Sequence, residues 1–292
     1  MMATGFETAL GEITLVLFTT LAPSGVLAFM IVSAVLVRGG IDAAQRRRID
    51  LFLCIPLMIS MVGLVASATH LGNPANALYV FMGVGRSPLS TEVFCAVVFL
   101  MLAGVYWLYS FSQNPRILLQ RVWSAAIIVA GGVFITAIAF AYDAETIISW
   151  NTWFVPVSIW LNALVGGPFV ALIALRAARA DAAIDRLGRL LCAISAAALI
   201  GNTAVYALQG ADLAGVANSF GTAADLVPHY GVLTVLFFLC CAVALVLVAR
   251  SLRAGGQPHI AVLIGAAVLV FAGIFVMRFS FYMMHMTTGL GM

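Results

Sequence analysis

The stretch SATHLGNPANALYVFMGVGRSPLSTEVF, from Ser67 to Phe94, lies between two long apolar runs and gathers His70, Asn73, Tyr79, Arg86 and Glu92 among glycines and prolines. The apolar runs on either side, 51–70 and 91–112, match the roughly 20 residues an α-helix needs to cross the hydrocarbon core of a bilayer. The stretch then becomes a polar link between two membrane spans, both ending at the same membrane face.

Composition supports that reading. Of 292 residues, 64% are hydrophobic and 9% are charged, whereas soluble domains carry about 25% charged residues. A soluble protein of this size could not cover its surface with so few charges. Eight runs qualify as spans, at about 12–37, 51–70, 91–112, 122–142, 152–175, 190–208, 231–249 and 260–284. No strand-like alternation accompanies them, which argues against a membrane barrel. The expected fold is all-α: one membrane domain over residues 1–292, built as an eight-helix bundle without internal repeats. Pro23, Pro56 and Pro168 fall inside spans, which membrane helices tolerate where neighbours satisfy the freed backbone groups. The N-terminal MMATGFETALGE contains Glu7 and Glu12 and no basic segment, so the first run reads as a retained helix rather than a signal peptide.

Charge orients the bundle. All fourteen basic residues are arginine. Twelve of them follow the odd-numbered spans: Arg38, Arg46, Arg47 and Arg48; Arg116 and Arg121; Arg176, Arg179, Arg186 and Arg189; Arg250 and Arg253. The opposite loops hold Asp143, Glu145, Asp212 and Asp225, with Arg86 as their one arginine. By the positive-inside rule the arginine-rich loops are cytoplasmic, so both termini are expected in the periplasm of a bacterial inner membrane. The longer loops, 71–90 and 209–230, share the periplasmic face, and long ordered loops tend to carry function.

The groups capable of chemistry collect on that face. His70 closes the second span and Glu92 opens the third. Imidazole exchanges protons near neutral pH, and a carboxylate relays them; as helix ends, both also have a simple solvated reading, with Ser90 or Thr91 as an N-cap ahead of Glu92. In the last span Arg278, Tyr282 and His285 recur at i, i+4 and i+7, which places them on one helical face. An arginine at that depth is costly in lipid and should point into the bundle, toward a pocket or an acidic partner, or else snorkel to the outer interface. Glu12, Tyr142, Asn162, Asn202, Tyr206 and Gln209 are the other polar residues in or beside spans; Asn162 and Asn202 read as hydrogen-bonding links between helices. The Gly-Gly-Pro at 166–168 is expected to allow close helix contact or a kink.

Cys54, Cys95, Cys192, Cys240 and Cys241 all lie in apolar runs and none has the paired spacing of a zinc or iron–sulfur site. No metal site is expected in this chain, and no haem: of four histidines only His70 and His285 sit at span ends. Nothing points to nucleic acid. A quinone, flat and apolar with two oxygens, suits a hydrophobic slot with a few polar groups at the membrane edge.

Several separated motifs resemble one family. ATHLGNPANAL followed by PLSTE, WNTWFVPVSIWLNALVGGPF, LQGADLAG, ADLVPHYG and the terminal RFSFYMMHMTTG are similar, in the same order, to the DmsC family of membrane anchor subunits of dimethyl sulfoxide reductase-type enzymes. The resemblance implies a haem-free anchor that binds and oxidises menaquinol, or another quinone from the membrane pool. It implies electron transfer to a four-cluster iron–sulfur subunit and onward to a molybdopterin catalytic subunit, both expected on the periplasmic face. It places the quinol-site histidine on His70 and the functional acid on Glu92 as the catalytic pair. Arg278, Tyr282, His285, Asn73 and Tyr79 complete the expected quinol site, while Arg86 departs from the family pattern. The same architecture serves sulfite dehydrogenase and polysulfide or tetrathionate reductase anchors, with electrons able to run toward quinone. A secondary transporter and a purely structural anchor are the readings of other classes; the clustering of ionisable groups at one edge argues against the transporter.

Overall fold

A computed structural model describes residues 5–70, 74–219, 221–253 and 257–287, without the side chains of 74–78. Among them, eight helices are long and apolar enough to cross a membrane, in agreement with the hydropathy reading.

A short helix, α1 (Gly5–Gly11), leads into α2 (Ile13–Arg38). Gly39 and Gly40 close α2 with φ of +72° and +75°, the left-handed conformation that stops a helix with least strain in glycine. Asp42 then caps α3 (Ala43–Phe52), accepting a hydrogen bond from Gln45 N at 2.7 Å. The second span is a broken helix: α3 gives way to α4 (Cys54–Thr69) at Leu53. Pro56 has no N–H to donate four residues back to Phe52, where α3 ends. A 3₁₀ segment, Pro74–Gly83, and a turn through Gly85 (φ +79°) lead to α5 (Pro88–Tyr109). The cap of α5 is Ser87, with Pro88 at the first helical position, not Ser90 or Thr91 as the sequence suggested; the helix starts at the earlier Ser-Pro, where proline loses nothing.

Then follow α6 (Ile117–Ala141), α7 (Phe154–Ala177) and α8 (Asp181–Asp212). A two-stranded hairpin pairs β1 (Ala217–Asn218) with β2 (Gly221–Thr222), before the one-turn α9 (Ala223–Leu226), α10 (Tyr230–Arg253) and α11 (Ile260–Met283). The sixth span differs most from the hydropathy estimate: α8 runs 32 residues rather than 190–208. Hydropathy reports hydrocarbon depth, whereas the helix continues through the arginine-bearing turns at one end and Gln209 at the other.

The helices α2 and α7 form the centre, with 72% of each apolar window buried against 33–39% in the other six. Apolar side chains gain little by leaving lipid for a helix neighbour, so packing rests on close contact at small residues. A Cβ on Gly25 would come within 2.7 Å of Ser60 N, and one on Gly63 within 3.0 Å of Ala22 N, which fixes α2 against α4. Gly166 and Gly167 face Ser24 and Leu27 with equally little room and bring α7 onto α2, the role expected of the Gly-Gly-Pro. The outer helices present Val65, Met101, Val129, Val232 and Val268 outward, as a lipid-facing surface requires.

Candidate functional site

The site is built at the end of the bundle that carries few arginines. In the last turns of α11, Arg278 is 1% exposed and is the largest fully buried side chain. Its Nε donates to Thr19 Oγ1 at 3.0 Å, and its guanidinium lies 4.0 Å from the ring centre of Phe281, 5.7 Å from that of Tyr142 and 5.6 Å from that of Tyr282. The aromatic faces attract the cation where water is excluded, so Arg278 points inward, as its cost in lipid predicts. Its Nη2 has no hydrogen-bond partner among the described residues.

Tyr142, just past α6, packs edge-on to Phe281 and Tyr282 at 6.1 and 6.0 Å. Trp150 stacks on Phe281 at 4.5 Å and meets His285 edge-on at 5.0 Å. The loop 143–153 also clamps the end of α11 through hydrogen bonds from Trp150 Nε1 to Phe281 O (3.1 Å) and from Ser149 Oγ to Met284 O. Nearby, burial pushes the Asp143 carboxyl above its ordinary range, and the like charge of Glu145 adds to the shift.

Glu92 is one turn into α5 and 3% exposed. Its Oε2 has no hydrogen-bond partner among the described residues. No hydrogen bond or ion pair joins Glu92 to Arg278 or to His70 among the described residues. On the same turns of α5, but without Glu92 in its lining, a crevice of about 390 Å³ opens between α5 and α6, bordered by Arg86, Ser87, Thr91, Cys95, Thr136 and Phe140 among others.

His70 forms the C-cap of α4. Its Nε2 lies 3.3 Å from Glu12 Oε2, with 44% and 33% of the two side chains exposed. The structure therefore divides the expected residues among separate places. Arg278, Tyr282 and His285 belong to one aromatic-lined cluster; His70 pairs with Glu12; Glu92 is buried without a partner for one oxygen, and Tyr79 is 68% exposed on the 3₁₀ segment. Asn73 lies outside the described residues. Three participants carried no role in the sequence reading: Glu12, Tyr142 and Thr19. Glu12 was readable, since it opens span 1 at the membrane face where span 2 closes with His70.

Deeper in the bundle, Asn202 Nδ2 donates to Asn162 Oδ1 at 2.7 Å and Asn162 Nδ2 to Tyr206 Oη at 2.9 Å. This joins α7 to α8 as the interhelical reading of both asparagines expects. Tyr230 Oη donates to Gln209 Oε1 at 3.0 Å. Among the described residues no group of three or more His, Cys, Asp or Glu gathers as a metal ion would require.

The arginine-rich end holds a second buried polar cluster, which hydropathy did not reveal. Arg46, assigned by sequence to a charged loop, is 6% exposed. Its Nε donates to Gln120 Oε1 at 2.9 Å and its Nη1 to Leu36 O at 3.1 Å. Asp50 accepts from Tyr106 Oη at 2.8 Å and from Gln120 Nε2 at 3.2 Å.

An eight-span bundle whose buried arginines and carboxyls lie toward its two membrane edges is a multi-pass membrane protein built unlike a midplane transporter. Comparison with known proteins agrees. Residues 4–284 match the family described as DMSO reductase anchor subunit (DmsC). The sequence is 30% identical over 280 residues to the C chain of anaerobic dimethyl sulfoxide reductase from Escherichia coli (strain K12), covering 96% of each protein. It is 31% identical over 281 residues to the YnfH chain of anaerobic dimethyl sulfoxide reductase from the same organism, again covering 96% of each. It is 30% identical over 290 residues to the corresponding C chain of Haemophilus influenzae, covering 97% of this protein and 98% of the relative. The protein belongs to the DmsC family of membrane anchor subunits. With its eight apolar helices, that membership makes it a multi-pass inner-membrane component of an oxidoreductase complex.

Proposed function

We propose that this chain is the quinol-oxidising anchor of a DMSO reductase-type complex, with menaquinol as its substrate. One observation carries the reading: a carboxyl buried to 3% exposure, with an unpartnered oxygen, at the loop-side end of a lipid-facing helix. Burying such a group without a partner is costly, so the arrangement favours a visitor that supplies a hydroxyl.

In this reading quinol enters from lipid at the loop-side rim, between the end of α4 that carries His70 and the turn of α5 that carries Glu92. His70 accepts a hydrogen bond and then a proton from one hydroxyl, and Glu12 stabilises the resulting imidazolium. Glu92 takes the proton of the second hydroxyl and releases it toward the loop side. Each quinol becomes quinone with loss of two protons and two electrons. Arg278 stabilises negative charge as it develops on the head group, Tyr282 and His285 shape the same wall, and Asn73 and Tyr79 are the further residues assigned to the quinol. The electrons leave to a four-cluster iron–sulfur subunit docked on this end, and from there reach a molybdopterin catalytic subunit. By the positive-inside rule this end faces the periplasm, and the whole chain acts as one anchor domain.

The test is turnover of a menaquinol analogue by membranes carrying His70→Ala or Glu92→Gln in the assembled complex. Loss of quinol-dependent reduction, with the partner subunits still membrane-bound, supports the assignment. Normal turnover in both variants overturns it.

A further inference from the structure

Two crevices at the arginine-rich end flank the first turns of α8 and share one construction. The first, about 250 Å³, opens between the end of α2 and α8; Ile31, Val35, Leu187 and Leu191 wall it, and Arg38 and Arg186 are the charged residues of its lining. The second, about 370 Å³, opens between α8 and α10; Cys192, Ala196, Leu245 and Val246 wall it, and its charged residues are Arg189 and Arg253. In each, two arginines from different helices border an apolar slot, and the lining contains no carboxylate.

These four arginines form no ion pair or side-chain hydrogen bond among the described residues. Others at the same end are partnered: Arg176 with Asp181 at 3.2 Å, Arg46 with Gln120, Arg48 with Gln45. A general excess of positive charge would be met by arginines anywhere in the loops. What sets these four apart is position: in each crevice two arginines from different helices line one apolar slot. Depth identifies the ligand. Arg38 and Arg253 are the last residues of α2 and α10, so the charges lie where spans end and the slots run from there into the hydrocarbon region. The matching molecule carries an anionic phosphodiester on a hydrocarbon tail. Guanidinium forks suit phosphate oxygens, and basic pockets between helices at this depth suit acidic lipid headgroups. Quinol is a poor match, because neither lining offers an acid or an imidazole to take its proton.

We propose that the two crevices flanking the arginine-bearing turns of α8, at Arg38/Arg186 and at Arg189/Arg253, are binding sites for anionic phospholipid. The headgroup phosphate bridges the two arginines and the upper acyl chain fills the slot. Both crevices lie at the opposite end of the molecule from the quinol site, so neither depends on what happens there.

The test is native mass spectrometry of the full chain, purified with the subunits that accompany it. The protein is titrated with dioleoyl phosphatidylglycerol, dioleoyl phosphatidylcholine or inorganic phosphate. The expected result is two retained phosphatidylglycerol molecules per chain and no comparable retention of phosphatidylcholine. R38Q/R186Q and R189Q/R253Q should each lose one, with the affinity of that site falling about thirty-fold, at ~1 kcal/mol per arginine. R47Q/R48Q removes the same charge from the same end outside both crevices and should retain both lipids. Equal retention of the two lipids overturns the proposal, as does equal loss in R47Q/R48Q, which would indicate diffuse surface charge. Retention of inorganic phosphate that competes with the lipid overturns it in favour of a free-phosphate site. The lipid comparison on the unsubstituted protein decides the headgroup question even where a variant fails to assemble.

Discussion

Asp50 and Glu92 are both buried carboxyl groups near opposite ends of the same bundle, and they are treated in opposite ways. Asp50 accepts hydrogen bonds from Tyr106 and Gln120, and Gln120 in turn accepts from Arg46. Four side chains from α3, α5 and α6 thus form a connected clamp. Glu92 is buried to 3% exposure yet leaves one oxygen without a partner among the described residues. A connected polar network holds helices in place. An incomplete one stores a cost that a bound molecule can relieve.

The largest expected effect tests that contrast directly. Glu92→Gln should lower quinol-dependent turnover about 100-fold while the thermal midpoint of the complex stays near that of the parent, because the amide fits the same space. Turnover within twofold of the parent would reduce Glu92 to a structural residue.

Asp50→Leu should do the reverse. It strips the clamp of its acceptor and should destabilise the chain by about 2 kcal/mol, read as a lowered unfolding midpoint in detergent, with turnover per folded complex unchanged. If turnover falls with stability intact, the arginine-rich cluster takes part in the chemistry and the two ends do not divide structure from catalysis.

Glu12→Gln probes the half-exposed partner of His70. A pair this accessible is worth under about 1 kcal/mol, so stability should barely move. In the quinol reading, turnover should fall several-fold, because the imidazolium formed when His70 takes the quinol proton loses its counter-charge. Turnover equal to that of the parent would remove Glu12 from the site.

The smallest effect lies in the outer loop at α9. Thr222 N and Oγ1 both donate to Asp225 Oδ2, at 2.9 and 2.7 Å, and these bonds hold the Asp225 carboxyl below its ordinary value of 3.8. A depressed folded pKa means that the capping contribution is present above that ordinary value and is lost as pH falls through the lower folded one. Amide exchange at Thr222 should therefore accelerate only below about pH 4; acceleration near neutrality would show that the cap is not carried by this carboxylate.

What could be read along the chain was the set of spans and the two unlike ends. Both follow from local quantities: about twenty consecutive apolar residues are enough to insert a helix whose backbone satisfies itself, and arginine in short loops biases orientation whatever the helices do with one another. The inward turn of Arg278 was also legible, because its charge is costly in lipid. Tertiary structure decided which polar groups meet. Arg278 finds Thr19 across 259 residues, Tyr142 brings its ring to that arginine, and Arg46 is drawn out of its charged loop into a clamp with Gln120. His70 turns to Glu12, although the link that follows it leads to Glu92. Each of these depends on how α2, α5, α6 and α11 are rotated and how closely they approach. Those rotations are fixed by contacts such as Gly166 on Ser24 and Gly25 on Ser60, which hydropathy weighs the same whichever way a helix faces.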